Sequence, residues 1–380
     1  MPDAASDAFL QGQGVPVALT DIEAELTRLW GPAAVLVGGP DLEHPSVTRV
    51  VLANLVVVAP RVPDAEIGDV LDALAARYPC RTIVLRPTAD PARAVKAEVA
   101  ALCHLPAPGQ PQVCSERITL NAGPAARDLL PGAVRPILEP DLPCVLWWAD
   151  AADAADPLFR TLAAEATRLL LDPPRRLSDP AGLKAALDLG HHPYARDITW
   201  FGLPRLRGLI AGLFDGPDGA DARKRINSVE VRCVAPFADR PPRMVAWLAA
   251  WLAGQLGWEP LRRDSPRPGE VVAAFRSPAG EVAVRLTTAA DPALTLPGIL
   301  GVTLTTRGPG GEGRYQLDRP TPDAAEVHIE ARVPGRADVS RTVVAPPLDA
   351  ARRVAAALDS SRDDPPYCAA LPHAMWLLGA

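Results

Sequence analysis

The sequence is short of lysine. Of 39 basic residues in a chain of 380, only Lys96, Lys184 and Lys224 are lysines, so chemistry needing a nucleophilic or Schiff-base amine has three candidates. None lies in a recognisable motif. Close cysteine pairs are also missing. Cys80, Cys103, Cys114, Cys144, Cys233 and Cys368 form no C-x-x-C pair, which argues against a zinc ribbon, a thioredoxin-type motif or a disulfide framework. They read as reduced, mostly buried thiols. No charge-free apolar run reaches the ~18 residues of a membrane helix, so nothing is expected to span a bilayer. A basic excess is absent too. With 45 acidic residues the net charge is −6, against a protein that coats nucleic acid by neutralising phosphates.

What is present describes a folded protein. Apolar residues make up 48% and charged residues 22%, ordinary globular usage. The 43 prolines are about twice the usual ~5% share, so loops should be many and stiff. The length predicts two or three domains. The acidic stretch Met1-Pro2-Asp3-Ala4-Ala5-Ser6-Asp7 lacks the basic character of a secretory or mitochondrial signal, which makes a cytoplasmic protein the expectation.

Along the chain, residues 1–40 read as an arm with one short amphipathic helix behind a Thr20-x-x-Glu23 capping box. Residues 41–154 alternate strand and helix: a β-branched run at 50–58, a helix carrying Ile67, Val70, Leu71 and Leu74, a strand at 82–85, a helix at 91–102, and strands at 113–120 and 144–148 around a helix at 124–130. That order predicts an α/β domain with a largely parallel layered sheet. Residues 155–380 begin with expected helices at 158–171, 180–189 and 204–214 and a strand at 228–234. The best-patterned helix carries Met244, Trp247, Leu248, Trp251, Leu252 and Leu256. Five short alternating strands between Val271 and Val333, a helix at 348–358 and a Pro-rich tail complete an α+β domain with helices and an antiparallel sheet.

Several segments, in order, resemble the OpcA family, the glucose-6-phosphate dehydrogenase assembly proteins. They are Asn54-Leu55-Val56-Val57-Val58, Tyr78-Pro79-Cys80-Arg81, Glu116-Arg117-Ile118-Thr119-Leu120, and above all Ile137-Leu138-Glu139-Pro140-Asp141-Leu142-Pro143-Cys144-Val145-Leu146-Trp147-Trp148. Asp156-Pro157-Leu158 and Asp197-Ile198-Thr199-Trp200, leading to Arg207, follow. The resemblance covers residues 45–260. The chain departs from the family at Ala164-Glu165-Ala166-Thr167-Arg168, and at Leu206, where the family tends to place a Trp.

The resemblance implies a non-catalytic assembly factor and allosteric activator that binds the glucose-6-phosphate dehydrogenase oligomer of the oxidative pentose phosphate pathway. It implies neither cofactor nor metal, and neither membrane nor nucleic acid as partner. The contact or positioning residues it points to are Trp148, Asp141, Trp200 and Arg207. Adjacent strand residues face opposite ways, so one indole of Trp147-Trp148 enters the core while the other can meet a partner; packing of both inside is the competing reading. The rival function is a sugar-phosphate enzyme such as a lactonase or isomerase, with its ligand at the strand carboxyl ends. Against it, no nucleophile elbow, metal set or carboxylate pair stands at recognisable spacing. His191-His192-Pro193 lacks a third ligand and reads as a solvated loop. Gly308-Pro309-Gly310-Gly311-Glu312-Gly313 resembles a phosphate loop in composition alone and reads as a hairpin. Arg205 with Arg207, and Arg223-Lys224-Arg225, are either solvated charge or a match to an anionic partner or phosphorylated metabolite.

Overall fold

The computed structural model describes residues 9–11, 14–36, 47–60, 62–75, 77–104, 112–150, 152–172, 183–184, 195–216, 218–308, 310–360 and 364–379. His191, His192 and the helix expected at 180–189 lie largely outside them. The described residues fall into two compact units, one within Met1–Pro174, Ala185–Arg196 and Ala350–Leu358, the other within Arg175–Lys184, Asp197–Asp349 and Asp359–Ala380.

The first unit is built on strands β1 (Phe9–Gln11), β2 (Val15–Val17), β3 (Val47–Arg49), β4 (Asn54–Val58), β5 (Arg81–Pro87), β6 (Val95–His104), β7 (Gln112–Ala122), β8 (Cys144–Trp148), β9 (Arg168–Leu171) and β10 (Ala195–Asp197), whose last residue is counted with the second unit. Their order among the described residues is β1-β6-β7-β5-β4-β8-β9-β10, with β2 on β6 and β3 on β7. The stretch β7-β5-β4-β8-β9 is parallel, as the alternating pattern implies. Every residue of β4 is buried, which is why its sequence is a continuous apolar run rather than an alternation. Helix Asp64–Ala75 turns Ile67, Leu71 and Leu74 inward, one helical stripe.

Two expected helices are strands or stop early. Residues 95–104 form β6, antiparallel to β7, because Val95-Lys96-Ala97-Glu98-Val99 alternates with period two: Ala97 and Val99 are buried while Lys96 is exposed. Its register sets Cys103 opposite Cys114, a backbone proximity that their separation in sequence conceals. The helix expected at 158–171 ends at Glu165. Ala166 is extended, Thr167 N donates to the Cys144 carbonyl at 2.7 Å, and Leu169-Leu170-Leu171 enters the sheet as β9, fully buried. Nor does the capping box form: Thr20 Oγ1 donates to Asp21 Oδ1, and Glu23 is used elsewhere.

The second unit carries β11 (Ile226–Ala235), β12 (Glu259–Asp264), β13 (Glu270–Ser277), β14 (Gly280–Ala290), β15 (Gly298–Gly308), β16 (Gly311–Asp318), β17 (Glu326–Arg332) and β18 (Val339–Val344), ordered β12-β13-β14-β11-β15-β16-β17-β18. The sheet is antiparallel except where β11 runs parallel to β14. Helix Arg243–Leu256 packs across β11, β14 and β15 and against helix Pro365–Leu378. The two helices meet closely at Gly254, where a Cβ would lie 2.6 Å from the Ala369 carbonyl oxygen. The Pro-rich tail is thus that second helix. Pro365 and Pro366 occupy its first turn, where a missing N–H is harmless, and Asp364 caps it by accepting from Tyr367 N at 3.0 Å.

Candidate functional site

Most of the segments that carry the family resemblance converge into two polar clusters, one in each unit. In the first, Arg81 opens β5 and is the register partner of Asn54 on β4 and Glu116 on β7. Its guanidinium is buried, and nearly every donor is taken. Nε donates to Glu116 at 2.8 Å; Nη1 donates to Glu23 at 2.6 Å and to the Ile137 carbonyl at 3.0 Å; Nη2 donates to Glu23 at 3.1 Å and pairs with Glu139 at 3.0 Å. Burial works against the charge on Arg81, but the hydrogen bond to Glu23 and the nearby Glu116 carboxylate outweigh it and hold its pKa above the ordinary value. The cluster sits at the amino ends of β4, β5 and β8. Open α/β sheets receive ligands at the opposite, carboxyl ends; here the cluster clamps β4, β5, β7 and the loop before β8 together.

The clamp fixes the loop that follows. Asn54 Nδ2 donates to the Glu139 carbonyl at 2.9 Å, and Glu139 N donates back to Asn54 Oδ1 at 2.7 Å. Pro140 and Pro143 stiffen the rest. Asp141 is exposed at its apex with φ 63°, a left-handed conformation that Asp tolerates better than most residues. The loop leads into β8, where Trp147 and Trp148 are each only 2% exposed. Both faces of β8 are covered, so the competing reading of this pair holds. Trp148 packs edge-on against Phe159 at 4.9 Å. Its role is therefore to position its surroundings, since its indole offers no surface.

In the second unit Asp197 is fully buried. Its Oδ2 accepts from Trp247 Nε1 at 2.5 Å and pairs with Arg243 at 2.5 Å, and its Oδ1 caps the following turn by accepting from Thr199 N at 2.9 Å. Asp197 N donates to the Tyr367 hydroxyl at 3.1 Å. Trp200, 1% exposed, donates from Nε1 to Asp364 at 3.1 Å. Its ring meets Trp247 at 5.4 Å and Tyr367 at 5.5 Å, and those two stack at 4.9 Å. Arg207 lies over the Trp200 ring, Cζ 3.6 Å from the centroid, a cation–π contact. Burial pulls its pKa down to about 10 against the opposing pull of Asp364. Nη1 of Arg207 is buried without a hydrogen-bond partner.

Of the four residues singled out in the sequence, Trp200 and Arg207 are thus in contact, Asp141 is exposed and Trp148 is interior. Sequence reasoning missed Glu23, Arg243, Trp247, Asp364 and Tyr367, which reach the clusters from distant segments. A residue before Pro365 that can cap a helix was the one local signal, and it marks Asp364. Among the described residues no three His, Cys, Asp or Glu side chains gather as a metal would need, and no helix is long and apolar enough to cross a membrane.

Two known family models match most of the chain. Residues 71–186 match the glucose-6-phosphate dehydrogenase subunit N-terminal domain, and residues 193–371 the C-terminal domain of the same subunit. The chain belongs to the OpcA family of glucose-6-phosphate dehydrogenase assembly proteins. It is 28% identical over 198 residues to a Synechococcus elongatus protein named "Putative OxPP cycle protein OpcA", the match covering 51% of this chain and 43% of that one. A protein of the same name from Nostoc punctiforme is 30% identical over 196 residues, 50% of this chain and 41% of the relative. The chain thus matches less than half the length of these relatives. Among solved structures, an oxidoreductase domain protein from Kribbella flavida covers 86% of this chain, and 96% of its own is covered, at TM-score 0.46 and 12% identity. A super-repressor mutant of Gal80p from Saccharomyces cerevisiae covers 80%, with 87% of its own, at TM-score 0.44 and 10% identity. Likeness at that level carries no functional argument.

Proposed function

We propose that this chain is a non-catalytic partner of glucose-6-phosphate dehydrogenase that binds the enzyme oligomer and raises its activity. The observation that carries the reading is the match of residues 71–186 and 193–371 to the two domains of a glucose-6-phosphate dehydrogenase subunit family. The chemistry of the clusters agrees with it. Arg81 and Asp197 are bonded to neighbouring side chains rather than held ready for a substrate, and enzymes need acids, bases or nucleophiles poised at a cleft.

In this reading Asp141 and Arg207 touch the dehydrogenase, and Trp148 and Trp200 hold them in place. Asp141 sits on a loop whose ordering is already paid by two prolines and the Asn54 bonds, so docking it costs little entropy. Activation requires tighter binding to the active conformation of the dehydrogenase than to the less active one, because equal affinity would shift nothing. The protein acts in the cytoplasm, where its partner works.

The test is a pull-down from the native host with identification of the co-purifying protein, followed by assay of the purified dehydrogenase with and without this chain. Co-purification and a rise in dehydrogenase activity support the proposal. Glucose-6-phosphate oxidation or 6-phosphogluconolactone hydrolysis by the chain alone would instead favour the sugar-phosphate enzyme.

A further inference from the structure

The pairing of β6 with β7 brings together two thiol-bearing residues that the sequence keeps apart. It runs without a shift from Val95 opposite Ala122 to His104 opposite Val113, and it sets Cys103 directly opposite Cys114. Among the described residues no other strand pairing places one cysteine against another: Cys144 stands opposite Asn54, and Cys233 opposite Thr288 and Ile299.

The hydrogen bonds on the far side of β7 decide what kind of pair this is. Thr88 N donates to the Ala122 carbonyl at 3.0 Å, so Ala122 turns its backbone carbonyl toward β5. Backbone polar groups alternate sides along a strand. Steps of two from Ala122 through Leu120, Ile118 and Glu116 reach Cys114, which therefore turns its N–H and C=O away from β6 and toward β3, where Arg49 is its parallel partner. Cys103 and Cys114 thus form a non-hydrogen-bonded pair, the kind with Cα atoms ~4.5 Å apart and the closer approach of side chains. Disulfides join Cα atoms ~4.4–6.8 Å apart, and directly opposite residues share a face of the sheet. The two positions can therefore be bridged with the register kept.

We propose that Cys103 and Cys114 are a modification site, a dithiol that closes reversibly to a cross-strand disulfide on reaction with a small disulfide oxidant. One cysteine thiolate attacks a sulfur of the oxidant, whose S–S bond breaks and expels a thiolate. The second cysteine attacks the cysteine sulfur of the mixed disulfide, which forms the Cys103–Cys114 bond and expels the other half of the oxidant. The cysteines give up two electrons, and their two protons leave on the two thiols released. In a reducing compartment the pair rests as the dithiol.

The site goes beyond the dehydrogenase partnership and is tested on the chain alone, so either reading can fail without the other. The full chain is treated with oxidised glutathione at mildly alkaline pH, unfolded, alkylated with iodoacetamide and cut with trypsin. No Lys or Arg lies between Lys96 and Arg117, so one peptide, 97–117, reports both cysteines. From monomeric chain it should emerge unalkylated and lighter by two hydrogens than the dithiol, and dithiothreitol before alkylation should restore two alkyl groups. Combining C114S with V113C moves the thiol opposite His104 and onto the other face, and in this folded variant, checked by circular dichroism, the bond should be lost. The proposal is overturned if peptide 97–117 of the unaltered chain is doubly alkylated, carries glutathione or is joined to a second copy. It is equally overturned if the displaced thiol closes as readily, since register would then play no part.

Discussion

Arg81 shows how a single side chain can hold several segments. It joins Glu23 from the first helix, Glu116 from β7 and Glu139 from the loop before β8, three carboxylates whose mutual repulsion it offsets. Arg81→Ala would remove the guanidinium that pairs with Glu116, which is fully buried. Removing one partner of a buried pair costs ~3–5 kcal/mol, and denaturant unfolding should register a loss of that size; a loss below about 1 kcal/mol would mean that water or another group replaces the guanidinium. The tryptophans of β8 make a paired prediction. Because both are buried, Trp147→Ala and Trp148→Ala should each destabilise the fold by ~3–5 kcal/mol, whereas a one-sided result would expose one face of the strand. The thiols are a third case. Burial lifts Cys80 to about 12 and Cys233 to about 11, and burial with the Glu165 charge lifts Cys144 to about 11. At pH 8 these three should resist alkylation in the folded chain while exposed Cys368 reacts, as peptide mass spectrometry can show.

At the scale of elements, helix Pro157–Glu165 begins on Asp156. Asp156 accepts from Leu158 N at 3.0 Å and is gripped by Arg127 through two bonds of 2.7 and 2.6 Å. Burial works to raise the Asp156 pKa, but the Arg127 bond and charge and the backbone N–H groups overcome it and hold it below 3.8. A carboxylate depressed in the folded state stabilises at pH values above its unfolded pKa and loses that contribution as pH falls through the folded value. Asp156→Ala should therefore cost ~1 kcal/mol at neutral pH, with the difference from the unaltered chain shrinking in strong acid. Equal differences at both pH values would show that the carboxylate charge plays no part in the cap. The same scale explains what the sequence could reveal. β4, β8 and helix Arg243–Leu256 were legible because burial on both faces of the strands, and on nearly every side of the helix, leaves an unmistakable apolar pattern. β6 was misread as a helix because alanines at 97, 100 and 101 suit either period, and only pairing with β7 decides between them. β12 and β18 were missed because they are edge strands with mostly exposed side chains, where no core face imposes an alternation. The Pro-rich tail is helical because its prolines fall in the first turn, apart from Pro372.

For the whole molecule, the family segments mark the hubs of two clusters, one in each unit, while Arg243, Trp247 and Tyr367 reach the second from far along the chain. Such partners leave no local spacing to read. Arg81, Glu116 and Glu139 lie in the stretch that matches the N-terminal domain of the subunit family, and Asp197, Trp200, Arg243, Trp247 and Tyr367 in the stretch that matches its C-terminal domain. The proposed association with glucose-6-phosphate dehydrogenase is tested most directly by titration of the purified dehydrogenase with this chain by calorimetry while its activity is followed in parallel. Binding should saturate, dehydrogenase activity should rise and saturate with it, and D141G and R207A should bind more weakly. Absence of binding heat together with unchanged dehydrogenase activity at saturating concentrations of the folded chain would contradict it.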